Sequence, residues 1–239
     1  MKKQLLFVLV LLLTTALAQA QLTGTKNVPG DYPDIQSAVS ALNTQGVGSG
    51  GVTIVIGANQ TLTATLQIGS ATLSVGAAAS TAANPVVIDG NGFAINANFA
   101  GTRAGSQTTG SNDAIIALNG PDYVTIKNFT FNEQLSNTTS SATLENAIGC
   151  YNRLSASPFD GCQYIYIENN TFNMTESGTG GATIQVSPAI YTSATLLAHS
   201  SFATDPTQMN RYIYVTNNNF ASGYTYVALT DLPEPMVVH

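Results

Sequence analysis

A repeat constrains this sequence more than any other feature. Four segments align without gaps: Pro85-Val86-Val87-Ile88-Asp89-Gly90-Asn91-Gly92-Phe93, Tyr123-Val124-Thr125-Ile126-Lys127-Asn128-Phe129-Thr130-Phe131, Tyr164-Ile165-Tyr166-Ile167-Glu168-Asn169-Asn170-Thr171-Phe172 and Tyr212-Ile213-Tyr214-Val215-Thr216-Asn217-Asn218-Asn219-Phe220. Their starts step by 38, 41 and 48 residues. Branched apolar residues alternate with other types in each, the mark of a strand with one buried face. Further short apolar strands are expected at Val52 to Ile56, Ala114 to Leu118, Ala147 to Tyr151, Ala189 to Thr192 and Tyr226 to Leu229. A period that drifts by ten residues excludes a strict leucine-rich or hexapeptide register, and propeller blades need four strands per unit. Irregular coils of a parallel β-helix tolerate the drift, because insertions leave at the corners while the strands stay stacked. The expected fold is all-β, a parallel β-helix or solenoid.

Composition agrees. Only 8% of residues are charged, against about a quarter in ordinary globular chains, and a helical bundle needs charged outer faces. A hydrophobic content of 44% argues against disorder. Seven basic against thirteen acidic residues give a net charge of −6, which leaves no electrostatic footprint for nucleic acid.

The amino terminus reads as a secretory signal peptide over residues 1–20. Lys2 and Lys3 precede an apolar run from Leu5 to Leu13, and Ala18-Gln19-Ala20 supplies a small-x-small cleavage site. Polar Thr14, Thr15, Gln19 and Gln21 keep the stretch below the roughly 20 apolar residues of a membrane span. One β-helix domain is expected over 21–239, exported and extracellular or at the cell surface, with no membrane span after cleavage. Export favours a disulfide between Cys150 and Cys162, the only cysteines; two separate buried thiols are the alternative. His199 and His239 show no ligand spacing with them, so no metal is expected. After Gly30-Asp31-Tyr32, Pro33 and Asp34 suit a first helical turn, Ile35, Ala38, Val39 and Leu42 form one apolar stripe, and Gly46 ends the helix.

Alternation turns Val124, Ile126, Ile165, Ile167, Ile213 and Val215 inward, which leaves three outer columns. These are Pro85, Tyr123, Tyr164, Tyr212; then Val87, Thr125, Tyr166, Tyr214; then Asp89, Lys127, Glu168, Thr216. At about 4.8 Å between strands the tyrosines stack and Lys127 lies between two carboxylates. Aromatic faces pack against pyranose rings while hydroxyls exchange hydrogen bonds with them, so this face suits a sugar chain. The same ladders also stabilise neighbouring strands by a few tenths to about 1 kcal/mol each, without any ligand. Asn128, Asn169 and Asn217 fall where the strand must bend, a position for left-handed backbone and an asparagine ladder. The loops Asn152 to Gln163 and Ser193 to Asn210 leave from one corner and carry Arg153, Asp160, His199 and Asp205 toward a groove. Asp122, after Gly120-Pro121, reads as a turn residue.

Gly30-Asp31-Tyr32-Pro33-Asp34-Ile35-Gln36-Ser37-Ala38-Val39 followed by Gly51-Val52-Thr53-Ile54-Val55-Ile56 resembles the entry of pectin-lyase-like right-handed β-helix proteins. The resemblance implies a right-handed coil with an amino-terminal capping helix. More closely, the whole mature chain is similar to secreted bacterial β-helix proteins without an assigned reaction, which often end in a carboxy-terminal sorting domain. The resembled enzymes' paired aspartates and arginine on late coils match no position here, so no catalytic residue is identified. No cofactor is expected.

The expected function is a non-catalytic extracellular or cell-surface module that binds carbohydrate. Its candidate ligand residues are Tyr123, Tyr164, Tyr166, Tyr212, Tyr214, Lys127, Glu168, Arg153 and Asp160. The alternative is a polysaccharide lyase, glycoside hydrolase or carbohydrate esterase, or an amino-terminal piece of one. The sequence stops soon after Pro233-Glu234-Pro235 without a capping element, which leaves either a fragment or an end-to-end contact with another chain as the expectation.

Overall fold

The structure is a computed structural model that describes residues 20–101, 114–133, 143–144, 146–153, 160–174, 182–187, 209–222, 225–229 and 237–238. The expected leader, the strand at Ala189 to Thr192, His199, Asp205 and His239 lie outside the described residues, apart from Ala20.

The strands in chain order are β1 (Leu22–Val28), β2 (Val47–Ile56), β3 (Gln60–Leu62), β4 (Leu66–Ile68), β5 (Val86–Asp89), β6 (Ala94–Ala97), β7 (Ala114–Asn119), β8 (Val124–Lys127) and β9 (Thr130–Asn132). They continue with β10 (Asn146–Tyr151), β11 (Gln163–Glu168), β12 (Thr171–Asn173), β13 (Ala182–Ser187), β14 (Arg211–Thr216), β15 (Asn219–Ser222), β16 (Thr225–Leu229) and β17 (Val237–Val238). They form three sheets: sheet A runs β1-β2-β5-β8-β11-β14-β17, sheet B runs β3-β6-β9-β12-β15, and sheet C runs β4-β7-β10-β13-β16. From β2 onward the chain visits A, B and C in fixed rotation, and each strand from β5 on pairs in parallel with the strand three places earlier. Each passage through the three sheets is called a pass below.

The inward residues are those the alternation indicated. Val124, Ile126, Ile165, Ile167, Ile213 and Val215 are buried, and Val87, Thr125, Tyr166 and Tyr214 stand half-buried on the other face of sheet A. In sheet C, β7 from Ala114 to Leu118 and the whole of β10 are buried on both faces, which is why these segments read as unbroken apolar runs. Phe131, Phe172 and Phe220 stack along the inner side of sheet B with centroids 5.1 and 5.3 Å apart.

Two parts of the repeat differ from the gapless alignment. Ile95, not Phe93, pairs with Phe131, because the Gly90-Asn91-Gly92 turn is two residues longer than its successors and Phe93 closes it with a bond to the Gly90 carbonyl. In the fourth pass the sheet C strand is Ala182–Ser187, ahead of the expected segment.

Helix α1 (Ile35–Gln45) buries Ile35, Ala38, Val39 and Leu42 as its stripe requires. Pro33 and Asp34 precede it rather than forming its first turn: Asp34 is extended and its carboxylate accepts the Ser37 amide at 2.7 Å, satisfying one of the free N–H groups at the helix start. Gly46, at φ +70°, ends it and donates to Leu42 O. The helix packs against β1, β2 and β4, while Ile35 N donates to the buried Gln60 side chain of β3 at 3.0 Å. It therefore touches the first strand of sheets A and C and bonds to the first strand of sheet B. A second helix, α2 (Ala71–Ser74), lies in the connection from β4 to β5.

At the corner between sheets A and B, Asn128, Asn169 and Asn217 adopt left-handed backbone at φ +58°, +56° and +54°. The ladder that bonds successive passes is formed one residue later. Asn170 accepts Phe129 N at 3.0 Å and donates to Ile126 O at 3.1 Å; Asn218 accepts Asn170 N at 2.9 Å and donates to Ile167 O at 2.8 Å. The left-handed residue turns the chain, and this swings the following side chain, not its own, beneath the corner amides. A second ladder runs on sheet B, where Asn173 donates to Asn132 at 2.7 Å and Asn132 to Asn96 at 2.8 Å.

Candidate functional site

Two groups of polar residues are candidates: the outer face of sheet A, and the corner where sheet C hands the chain back to sheet A. On the face, Tyr123 and Tyr164 stack at 4.5 Å between centroids and Tyr164 and Tyr212 at 4.6 Å, with planes 10° and 16° apart. Tyr166 and Tyr214 form a second column at 4.8 Å and 8°. The first column sits at strand entry, where all three tyrosines take left-handed backbone at φ +50°, +56° and +55°. A bulky residue there carries backbone strain of about 1–3 kcal/mol, and Tyr164 is held by a ring on either side.

The stacking changes what the face offers. Near-parallel rings 4.5–4.8 Å apart cover one another's faces and leave their edges uncovered, while the Tyr123 and Tyr164 hydroxyls bond each other. Pyranose-on-ring packing, expected from the sequence, is blocked within each column. Burial raises the Tyr166 hydroxyl pKa, with Tyr214 adding to it, which keeps the phenol protonated and able to donate. The Arg211 guanidinium lies 5.0 Å from the Tyr212 centroid and its Nη2 donates to the Tyr212 hydroxyl at 3.1 Å.

Lys127 has the expected neighbours but bonds on one side. Its Nζ lies 3.6 Å from Asp89, and Glu168 pairs beside it in register without an ion pair among the described residues. Asp89 also accepts Asn91 N and Asn128 Nδ2, both at 2.9 Å, so this carboxylate anchors the corner as well as the lysine.

The second group joins Arg153 and Asp160, as the loop suggested, but not in a groove. They exchange backbone bonds of 2.7 and 3.1 Å, and both side chains are buried, at 8% and 6% exposure. Arg153 Nε donates to Ser74 Oγ at 3.2 Å, and that hydroxyl stands within donating reach of Ser70 O at 3.0 Å and Gly120 O at 3.1 Å. Asp122, read from the sequence as a turn residue, belongs to this group: its Oδ1 accepts Gln163 N at 2.9 Å. Burial, with Asp160 beside it, raises Asp122 to about 7 against the pull of the Gln163 bond. Burial also raises Asp160 to about 6, while Ser74 and Arg153 hold it lower than burial alone would.

Cys150 and Cys162 are buried free thiols here, without the expected bridge, yet they lie side by side rather than apart. Cys162 Sγ donates to the carbonyls of Leu118 and Tyr151, each at 3.4 Å, and burial beside Cys150 holds its pKa well above the usual thiol value.

Sequence reasoning missed Ser74, Asp122 and the Asn96-Asn132-Asn173 ladder. A signal existed for Asp122: it opens the column Asp122, Gln163, Arg211 that precedes the tyrosines by one residue, and the strands register those three together. No family model matches this chain, and no curated protein or solved structure matches it either.

Proposed function

We propose that this protein is an exported right-handed parallel β-helix of the pectin-lyase-like kind, and that it binds neutral polysaccharide without cleaving it through the outer face of sheet A. The rotation of the strands through three parallel sheets supports the coil, and α1 against the first strands supports the capping helix. The leader-like amino terminus supports export.

The observation that carries the binding reading is the two-column tyrosine array, whose hydroxyl-bearing edges recur every 4.5–4.8 Å across three passes. Such a row offers donors and acceptors to successive hydroxyls of an extended chain. Charge selects among polysaccharides. Lys127 is already paired with Asp89, Glu168 adds a carboxylate, and the chain carries a net charge of −6. A polyuronate meets repulsion there; a neutral glucan, xylan or mannan does not.

The enzymatic alternative draws on Asp122, Asp160 and Arg153. Burial of Arg153 and Asp160 keeps them from a polymer, which favours the non-catalytic reading. Affinity electrophoresis through gels containing neutral or acidic polysaccharides tests the proposal. Retardation in a neutral gel with no new reducing ends, methanol or unsaturated product is the expected result. Product release overturns the non-catalytic reading, and migration unaltered by every polymer overturns the binding reading.

A further inference from the structure

The corner between sheets C and A holds a second function, independent of the glycan reading. Four passes meet there. Ser74 comes from α2 at the end of the first, Gly120 and Asp122 from the turn ending the second, and Arg153, Asp160 and Gly161 from the connection ending the third. A Cβ on Gly161 would lie 2.3 Å from the Met209 backbone at the end of the fourth. Gly120, at φ +67°, is also closely packed: a Cβ there would lie 2.9 Å from both Arg153 Cβ and Asp160 O. Arg153 and Asp160 are buried among these turns, and Asp122 is half-buried at their edge.

Asp160 lies beside the Arg153 guanidinium, and Asp122 lies beside Asp160. With one proton retained the cluster is neutral; with both carboxyls ionised it carries a buried net negative charge, which a low-dielectric setting opposes. Among the described residues, Cys162 from the third connection and Tyr123 at the entry to β8 also stand near Asp122, and burial raises both, which keeps their protons on. Arg211 stands in the same row beyond Gln163, engaged with Tyr212.

We propose that Asp122, Asp160, Arg153 and Ser74 form a proton-operated clasp that is closed in mildly acidic medium and loosens when both carboxyls ionise. Opening exposes the buried Asp160 and the half-buried Asp122 more fully to water, so both ionise more readily open than closed. The opening constant therefore rises with pH between the ordinary carboxylate range, near 4, and the raised values of the closed state, and is level above them. Each titrating carboxyl contributes about tenfold per pH unit within its window. The window of Asp160 closes near 6 and that of Asp122 near 7.

Hydrogen exchange on the full chain from pH 5 to 8.5, corrected for intrinsic rates, measures this at the amides of Gln163, Arg153 and Asp160. The amide of Ile88 in β5 serves as control. The expected result is an opening constant that rises at least tenfold between pH 5.5 and 7 and then levels, with Ile88 unchanged. Asp122→Asn, which keeps an oxygen for Gln163 N but no charge, is expected to remove the rise between pH 6 and 7, and Asp160→Asn to make the rise below 6 shallower. A flat wild-type profile at these amides overturns the clasp whether or not either variant folds. A rise that survives in a folded Asp122→Asn protein between pH 6 and 7 overturns it too.

Discussion

The amide of Gln163 donates to the carboxylate of Asp122 across 2.9 Å, so the turn that launches one strand of sheet A is bonded to the turn that launches the next. Tyr123 and Tyr164 follow these two residues directly and stack at 4.5 Å. A titratable group thus sits one residue from the first tyrosine column.

Stability should increase toward acid through Asp122. Its native pKa, about 7, lies above the unfolded value near 4, so its contribution is full below pH 4, falls as pH rises, and is gone above about 7. Calorimetry at fixed ionic strength should give a higher melting temperature at pH 5 than at pH 8. Lower net charge in acid acts in the same direction, so the variant isolates the group. Asp122→Asn should raise the melting temperature at pH 8 and narrow the difference; an unchanged difference contradicts the assignment.

Neighbouring asparagines at the corner of sheets A and B should behave in opposite ways. Asn170 is buried and accepts the Phe129 amide, so Asn170→Ala strands that N–H and should cost about 2–3 kcal/mol in urea unfolding. Asn169 is exposed and supplies left-handed backbone, so Asn169→Gly should lie within about 1 kcal/mol of wild type. Equal losses would place the ladder one residue earlier.

Gly120→Ala adds a methyl against Arg153 and Asp160 at a backbone angle that disfavours side chains. It should destabilise the chain by about 2 kcal/mol or more. It should also expose the Arg153 to Asp160 connection to trypsin before global unfolding, as a cleavage time course would show. Native-like resistance contradicts the packing.

Within a pass the sequence was readable because strand side chains alternate strictly: Ile165 and Ile167 had to face opposite to Tyr166, and they do. Between passes it was readable only where corners keep one length. The longer Gly90 turn broke the alignment of Phe93, and the corner cluster was invisible because Ser74, Asp122, Arg153 and Asp160 come from connections of three different lengths. The tyrosine columns were legible, but their covered ring faces were not, since ring orientation depends on stacking between passes. The thiols show another limit: closeness in sequence and a leader-like amino terminus favour pairing, whereas the structure leaves both thiols free and gives Cys162 carbonyl partners beside Cys150.

The most direct test of the binding account is the double variant Tyr166→Phe, Tyr214→Phe. Both rings remain, so their 4.8 Å stack and the melting temperature should be kept, while the two edge hydroxyls are lost. At about 1 kcal/mol for each hydrogen bond, retention in a neutral polysaccharide gel should weaken by about tenfold or more. Retention equal to wild type, in a protein of unchanged stability, would contradict recognition through the hydroxyl edges of this face.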